Sequence, residues 1–191
     1  MKTFLSILLL IWTINIHAQE DAIAKIRERY AQVNEEDAGY QTHSVELNTM
    51  QAAIGLQTTK IAFRYMAFQS NPEEDPAKLE YTLAKISVSY NISDGMEYHI
   101  EYLFDENQNL IFYFRKAEGE WENYQYRYYF NKGKLIKVII KSINEMGLKL
   151  DYTDTKNFKS KDIEYAKSCF LKAKEYIDFF HSMTDIEYLD K

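Results

Sequence analysis

Met96-Glu-Tyr-His-Ile-Glu-Tyr-Leu-Phe104 places Met96, Tyr98, Ile100, Tyr102 and Phe104 on one side of an extended chain and Glu97, His99 and Glu101 on the other. A strand turns successive side chains to opposite faces, so this alternation marks a half-buried strand of an antiparallel sheet. Asp105 to Asn109 turns the chain into Leu110–Lys116, and Ala117 to Glu120 turns it again. Tyr124–Phe130 then pairs with Leu135–Ser142 across Asn131-Lys-Gly133, where the glycine permits a positive φ. Within this region Tyr102-Leu-Phe-Asp105 followed by Leu110-Ile111 is echoed by Tyr128-Tyr-Phe-Asn131 followed by Leu135-Ile136, at offsets of 26 and then 25 residues. Two hairpins of similar design therefore stand side by side. A repeat array needs three or more copies, so the pattern is a meander.

Working outward, Val45, Leu47 and Thr49 alternate with polar neighbours, and Ile61–Phe68 is apolar on both faces apart from Arg64. Leu79–Ile92 is strand-like again, up to Ser93-Asp-Gly95, while Asn71-Pro-Glu-Glu-Asp-Pro76 holds both prolines and reads as a loop. Helical spacing frames these strands. Ile23, Ile26, Tyr30 and Val33 share one side of residues 21–34, opposite Lys25, Arg27, Glu28 and Arg29, and Glu35 to Gly39 ends that helix. Towards the C-terminus Ile163, Ala166, Phe170, Ala173, Ile177 and Phe180 step by three and four, with Tyr165, Cys169, Tyr176 and Phe179 widening the apolar face. Ser160 or Asp162 suits the start of this second helix. The expected fold is a single α+β domain, a curved antiparallel meander of six to seven strands flanked by an N-terminal and a C-terminal helix.

Residues 1–18 have a different character. Lys2 precedes an apolar run from Phe4 to Trp12, and the segment closes on Ile16-His-Ala-Gln19, the pattern of a secretory signal peptide. The apolar run is shorter than the roughly 20 residues a membrane-spanning helix needs. Export to the periplasm or the outside is therefore expected, with a mature domain of residues 19–191 and no stable membrane anchor, because no cysteine follows the signal to accept a lipid. Cys169 is the only cysteine, so no internal disulfide is expected, and a domain of this size needs none. With 29 acidic against 23 basic residues the balance disfavours nucleic acid and anionic membrane partners. Sixteen Tyr and eleven Phe, against six Gly and two Pro, describe an ordered, aromatic-rich chain.

Ile26-Arg-Glu-Arg-Tyr-Ala-Gln-Val-Asn34, Glu101-Tyr-Leu-Phe104, Leu110-Ile-Phe-Tyr-Phe-Arg-Lys116 and Arg127-Tyr-Tyr-Phe-Asn-Lys-Gly-Lys-Leu-Ile136 together resemble exported proteins of unknown function common in Bacteroidetes, which carry aromatic hairpin repeats. The Ala18-Gln19 exit suits the same group. The resemblance implies export and an α+β meander, and brings no activity or site residue with it.

Candidate chemistry is sparse. Glu97, His99 and Glu101 share one strand face with neighbours about 6.5–7 Å apart, a set that could ligate a metal in a metal-assisted hydrolase, with His43 approaching if its strand paired alongside. A solvated sheet face is the plainer account of the same residues. Cys169 sits beside the apolar stripe with Lys172 as its one cationic neighbour, which suits a small buried hydrophobe better than a reactive thiolate. There is no nucleophile elbow, phosphate loop or dinucleotide fingerprint, so no cofactor is expected. The remaining feature is the aromatic group Tyr113, Trp121, Tyr124, Tyr126, Tyr128 and Tyr129. Alternation puts Tyr124, Tyr126 and Tyr128 on one face and Tyr129, with Tyr113, on the other, and both faces can be buried only if helices cover both sides. Exposed Tyr and Trp make good platforms for sugars or proteins. The expected function is thus a non-catalytic binding or interaction protein with an unknown protein or glycan ligand, and the alternatives are a periplasmic carrier of an apolar ligand or the metal-assisted hydrolase.

Overall fold

The computed structural model describes residues 2–36, 38–52, 55–69, 79–92, 95–119, 123–143 and 149–186. Trp121 and the loop Asn71–Pro76 lie outside them. Among the described residues, helix α1 (Lys2–Asn34) leads into eight strands, β1 (Gln41–Gln51), β2 (Gly55–Gln69), β3 (Leu79–Ile92), β4 (Met96–Phe104), β5 (Leu110–Glu118), β6 (Asn123–Asn131), β7 (Lys134–Ile143) and β8 (Lys149–Asp154), and helix α2 (Ser160–Ile186) follows them. Every strand pairs antiparallel with its sequence neighbours, in the order β1 to β8. The meander therefore has one strand more than the alternation suggests. The addition is β8, whose Lys149-Leu-Asp-Tyr-Thr-Asp154 is short and mostly polar because it forms an edge.

The helices lie on opposite faces. On one, Ala166, Cys169, Ala173 and Phe180 of α2 pack against Phe63, Leu83, Ile86, Tyr102, Tyr113, Tyr128 and Phe130. On the other, Ile23, Ile26 and Val33 of α1 pack against Leu103, Phe112 and Tyr129. For this reason β5 and β6 bury aromatic side chains on both faces, Tyr113 and Tyr128 on one and Phe112 and Tyr129 on the other. Gln19 joins α1 to the far end of the sheet, its side-chain amide donating to the carbonyls of Ile136 and Thr155.

The two echoing segments are the hairpins β4–β5 and β6–β7. Each carries a register shift just before its turn, with Ile111 the extra residue in one and Ile136 in the other. A third shift, between β2 and β3, makes Ala84 the extra residue. All three belong to the α1 cluster. A bulge lets two consecutive residues face the same side, so Ile111 and Phe112 both reach α1. The hairpins differ in their turns. Lys132 and Gly133 both take positive φ, 49° and 72°, as a type I′ turn requires. The longer loop is held by Asp105, whose carboxylate accepts from the backbone N–H of Asn107 and Asn109.

Helix α2 is turned slightly from the expected stripe. Ile163 is 43% exposed, and Asp162 takes the inward place in the first turn at 2%.

Candidate functional site

Register across the sheet sets two neighbouring rows of side chains against each other. Ile61, Val88, Ile100, Arg115, Tyr126, Ile140 and Tyr152 form a mainly apolar row on the α2 face. One residue along, Lys60, Ser89, His99, Lys116, Gln125, Lys141 and Asp151 form a polar row on the opposite face, beyond the part that α1 covers.

On the α2 face the expected aromatic platform divides. Tyr113, Tyr128 and Tyr129 are buried, at 3%, 3% and 5% exposure, and form no part of an exposed platform. Tyr113 pairs directly with Tyr128, so these two share the α2 face, and Tyr129 alone turns to α1 against Phe112. The sequence-based assignment of Tyr113 to the Tyr129 face is corrected by this register. Burial raises the hydroxyl pKa of both Tyr113 and Tyr128 well above the usual tyrosine range. Tyr124 and Tyr126 remain half-exposed. They join two residues that sequence reasoning did not single out, Tyr90 and Tyr98.

These four tyrosines are organised around Arg115. Ala117 lies between Tyr98 and Tyr124 in the register, and its small side chain leaves a gap that Arg115 fills from two residues away. The guanidinium carbon stands 5.4 Å from the ring centre of Tyr98 and the same distance from that of Tyr124. Tyr90 stacks on Tyr98 at 4.7 Å, and Tyr126 on Tyr124 at 4.9 Å. The result is a stack of five planar groups, held from below by a hydrogen bond from Arg115 Nη1 to the Tyr165 hydroxyl at 3.1 Å. Burial pushes the Tyr124 hydroxyl up to about 12 against the opposing effect of Arg115.

The second group is built on Glu101. Its side chain is 7% exposed beneath α1, so it does not belong to a solvated face. Tyr30 donates to Glu101 Oε2 at 2.6 Å and Lys85 Nζ lies 3.2 Å from Oε1. His99 Nε2 lies 3.3 Å from the same oxygen. Lys85 also donates to Asn34, at the end of α1. Burial alone would raise the carboxyl, but the hydrogen bonds from His99 and Tyr30 and the charge of Lys85 hold it down at about 2. Glu97 does not join this group. It lines the open cavity of about 580 Å³ with His99, Ser89, Lys60 and Lys116. His43 pairs with Phe63 on β2 and stays away from His99. Among the described residues no group of three His, Cys, Asp or Glu side chains is arranged to hold a metal.

A cavity of about 220 Å³ lies under α1, lined by Ile26, Tyr30, Phe112, Phe114, Arg127 and Tyr129. Small-molecule sites are usually larger, at about 300–1,000 Å³. Cys169 is buried, and burial raises its thiol to about 12, which keeps it protonated and inert. Among the described residues no helix is long and apolar enough to cross a membrane. No family model matches the chain, and neither a curated protein nor a solved structure matches it.

Proposed function

We propose that the protein is an exported binding protein that recognises a glycan through the Tyr90–Tyr98–Arg115–Tyr124–Tyr126 stack. The observation that carries this reading is the guanidinium clamped between two half-exposed tyrosine rings. Cation–π contacts and ring stacking hold all five groups in place before a ligand arrives, so little side-chain entropy is lost on binding. Tyrosine rings and hydroxyls suit the alternating apolar and hydroxyl surface of a sugar. Export rests on the signal-like residues 1–18.

A thermal-shift screen against glycans tests the proposal. A ligand at about 100 times its dissociation constant adds roughly 2.7 kcal/mol, which should raise the midpoint by about 5–11 °C. The double variant Tyr98→Ala/Tyr124→Ala should lose that shift while keeping the far-ultraviolet circular dichroism of the parent. Absence of any glycan response in the parent, or an unchanged response in the variant, removes the assignment.

A further inference from the structure

The polar row on the other face holds a second arrangement with its own chemistry. Ser89 and His99 are direct partners across β3 and β4, and Ser89 Oγ lies 3.0 Å from His99 Nδ1. His99 Nε2 lies 3.3 Å from the carboxylate of Glu101. Glu101 is acceptor-only when ionised, and Tyr30 and Lys85 already donate to it. Its remaining demand is met by a proton on Nε2. That tautomer leaves Nδ1 free to accept the Ser89 hydroxyl proton. Hydroxyl, imidazole and buried carboxylate thus follow one another in the order that activates a serine nucleophile.

The surroundings suit a substrate. Ser89 and His99 line the open cavity of about 580 Å³, so the hydroxyl is approachable, whereas Glu101 lies behind His99 under α1. Lys60 is the cross-strand partner of Ser89, and Lys116 that of His99, so an ammonium flanks each reacting residue. Each lysine has a surface carboxylate nearby, Glu46 at 3.8 Å and Glu118 at 2.6 Å. Exposed pairs of this kind are weak and yield to a bound anion.

We infer that Ser89, His99 and Glu101 form an acyl-transfer site for small carboxylic esters bearing an anionic group. Ser89 Oγ bonds to the ester carbonyl carbon as its proton passes to His99 Nδ1. The bond to the alcohol then breaks, and His99 returns the proton to the departing oxygen. Water attacks the acyl-serine, giving its proton to His99, and the free acid leaves as that proton returns to Ser89 Oγ. Glu101 is a positioning residue, holding the imidazole in the required tautomer. Lys60 or Lys116 supplies positive charge for the oxyanion and the anionic part of the substrate.

The test treats the purified chain with a fluorophosphonate probe and maps the adduct by mass spectrometry, alongside hydrolysis of p-nitrophenyl acetate and p-nitrophenyl succinate. One adduct on Ser89 is expected, with faster turnover of the anionic succinate ester. Ser89→Ala should abolish both labelling and turnover. His99→Ala should slow turnover by about 10²–10⁴-fold. Glu101→Gln should lower kcat with KM unchanged, since in turnover it acts through His99 and does not touch the substrate. Ser89→Cys, which keeps the side-chain shape, should be alkylated by iodoacetamide faster than the same variant lacking His99. An unlabelled Ser89, turnover that survives Ser89→Ala, or a thiol at position 89 indifferent to His99 would each overturn the inference.

Discussion

Glu101 is ionised in a place where burial alone would make it neutral, and three donors on three different elements keep it so. The pH dependence follows from its lowered pKa. The folded carboxyl titrates near 2, below the ordinary glutamate value of 4.5, so its stabilising contribution is complete above about pH 4.5 and is lost as pH falls through about 2. Glu101→Gln leaves the ammonium of Lys85 without its countercharge in a site where that side chain is 11% exposed, and should cost about 3 kcal/mol at neutral pH. Thermal midpoints of the parent should fall more steeply than those of the variant between pH 4.5 and 2, and parallel curves would refute the account. At this scale the sequence shows which face of β4 carries Glu97, His99 and Glu101, because alternation is a local property. It does not show that Glu101 is covered by Tyr30, which lies 71 residues away, nor that Ser89 faces His99.

At the scale of the element, helix α2 shows where periodicity is sufficient and where it is not. The apolar stripe treats Ile163 and Phe180 alike. Phe180 is fully buried among Phe63, Tyr65 and Tyr81, whereas Ile163 is nearly half-exposed. Phe180→Ala should therefore cost about 3–5 kcal/mol, and Ile163→Ala no more than about 0.5 kcal/mol, in denaturant unfolding. Similar costs for the two would show that the helix is rotated from the orientation described. A chain ending at Asn157 should have no cooperative transition, since it loses the whole cover of one sheet face. The hairpin echo is likewise legible as a repeat of residues. That Ile111 and Ile136 are bulges is not, because a bulge exists only relative to the strand beside it.

For the whole molecule, two helices on opposite faces turn an open sheet into a three-layer body, and a chain beginning at Gln19 keeps the α1 anchors Gln19, Ile23, Ile26 and Val33. A chain beginning at Gln19 should therefore melt cooperatively within about 2 °C of the full-length protein, a difference of no more than about 1 kcal/mol. A larger loss would mean that residues 2–17 pack on the domain and do not act as a removable leader. The coverage also explains the division of the tyrosines. Tyr113 and Tyr128 lie under α2 and Tyr129 under α1, and the half-exposed Tyr90, Tyr98, Tyr124 and Tyr126 flank Arg115 beside them.

By itself the sequence determined the α+β class, the succession of strands from Val45 to Ser142, and the apolar side of each helix apart from the first turn of α2. These follow from periods of two and of three to four residues, which a chain carries whatever it later packs against. Tertiary structure alone decided that the helices take opposite faces, that Tyr113 joins Tyr128, that Arg115 enters the gap above Ala117, and that Ser89 meets His99. Each depends on register between strands, and in a sheet a shift of one residue moves every side chain to the other face. Among the described residues three bulges make such shifts, and no local pattern records where they fall.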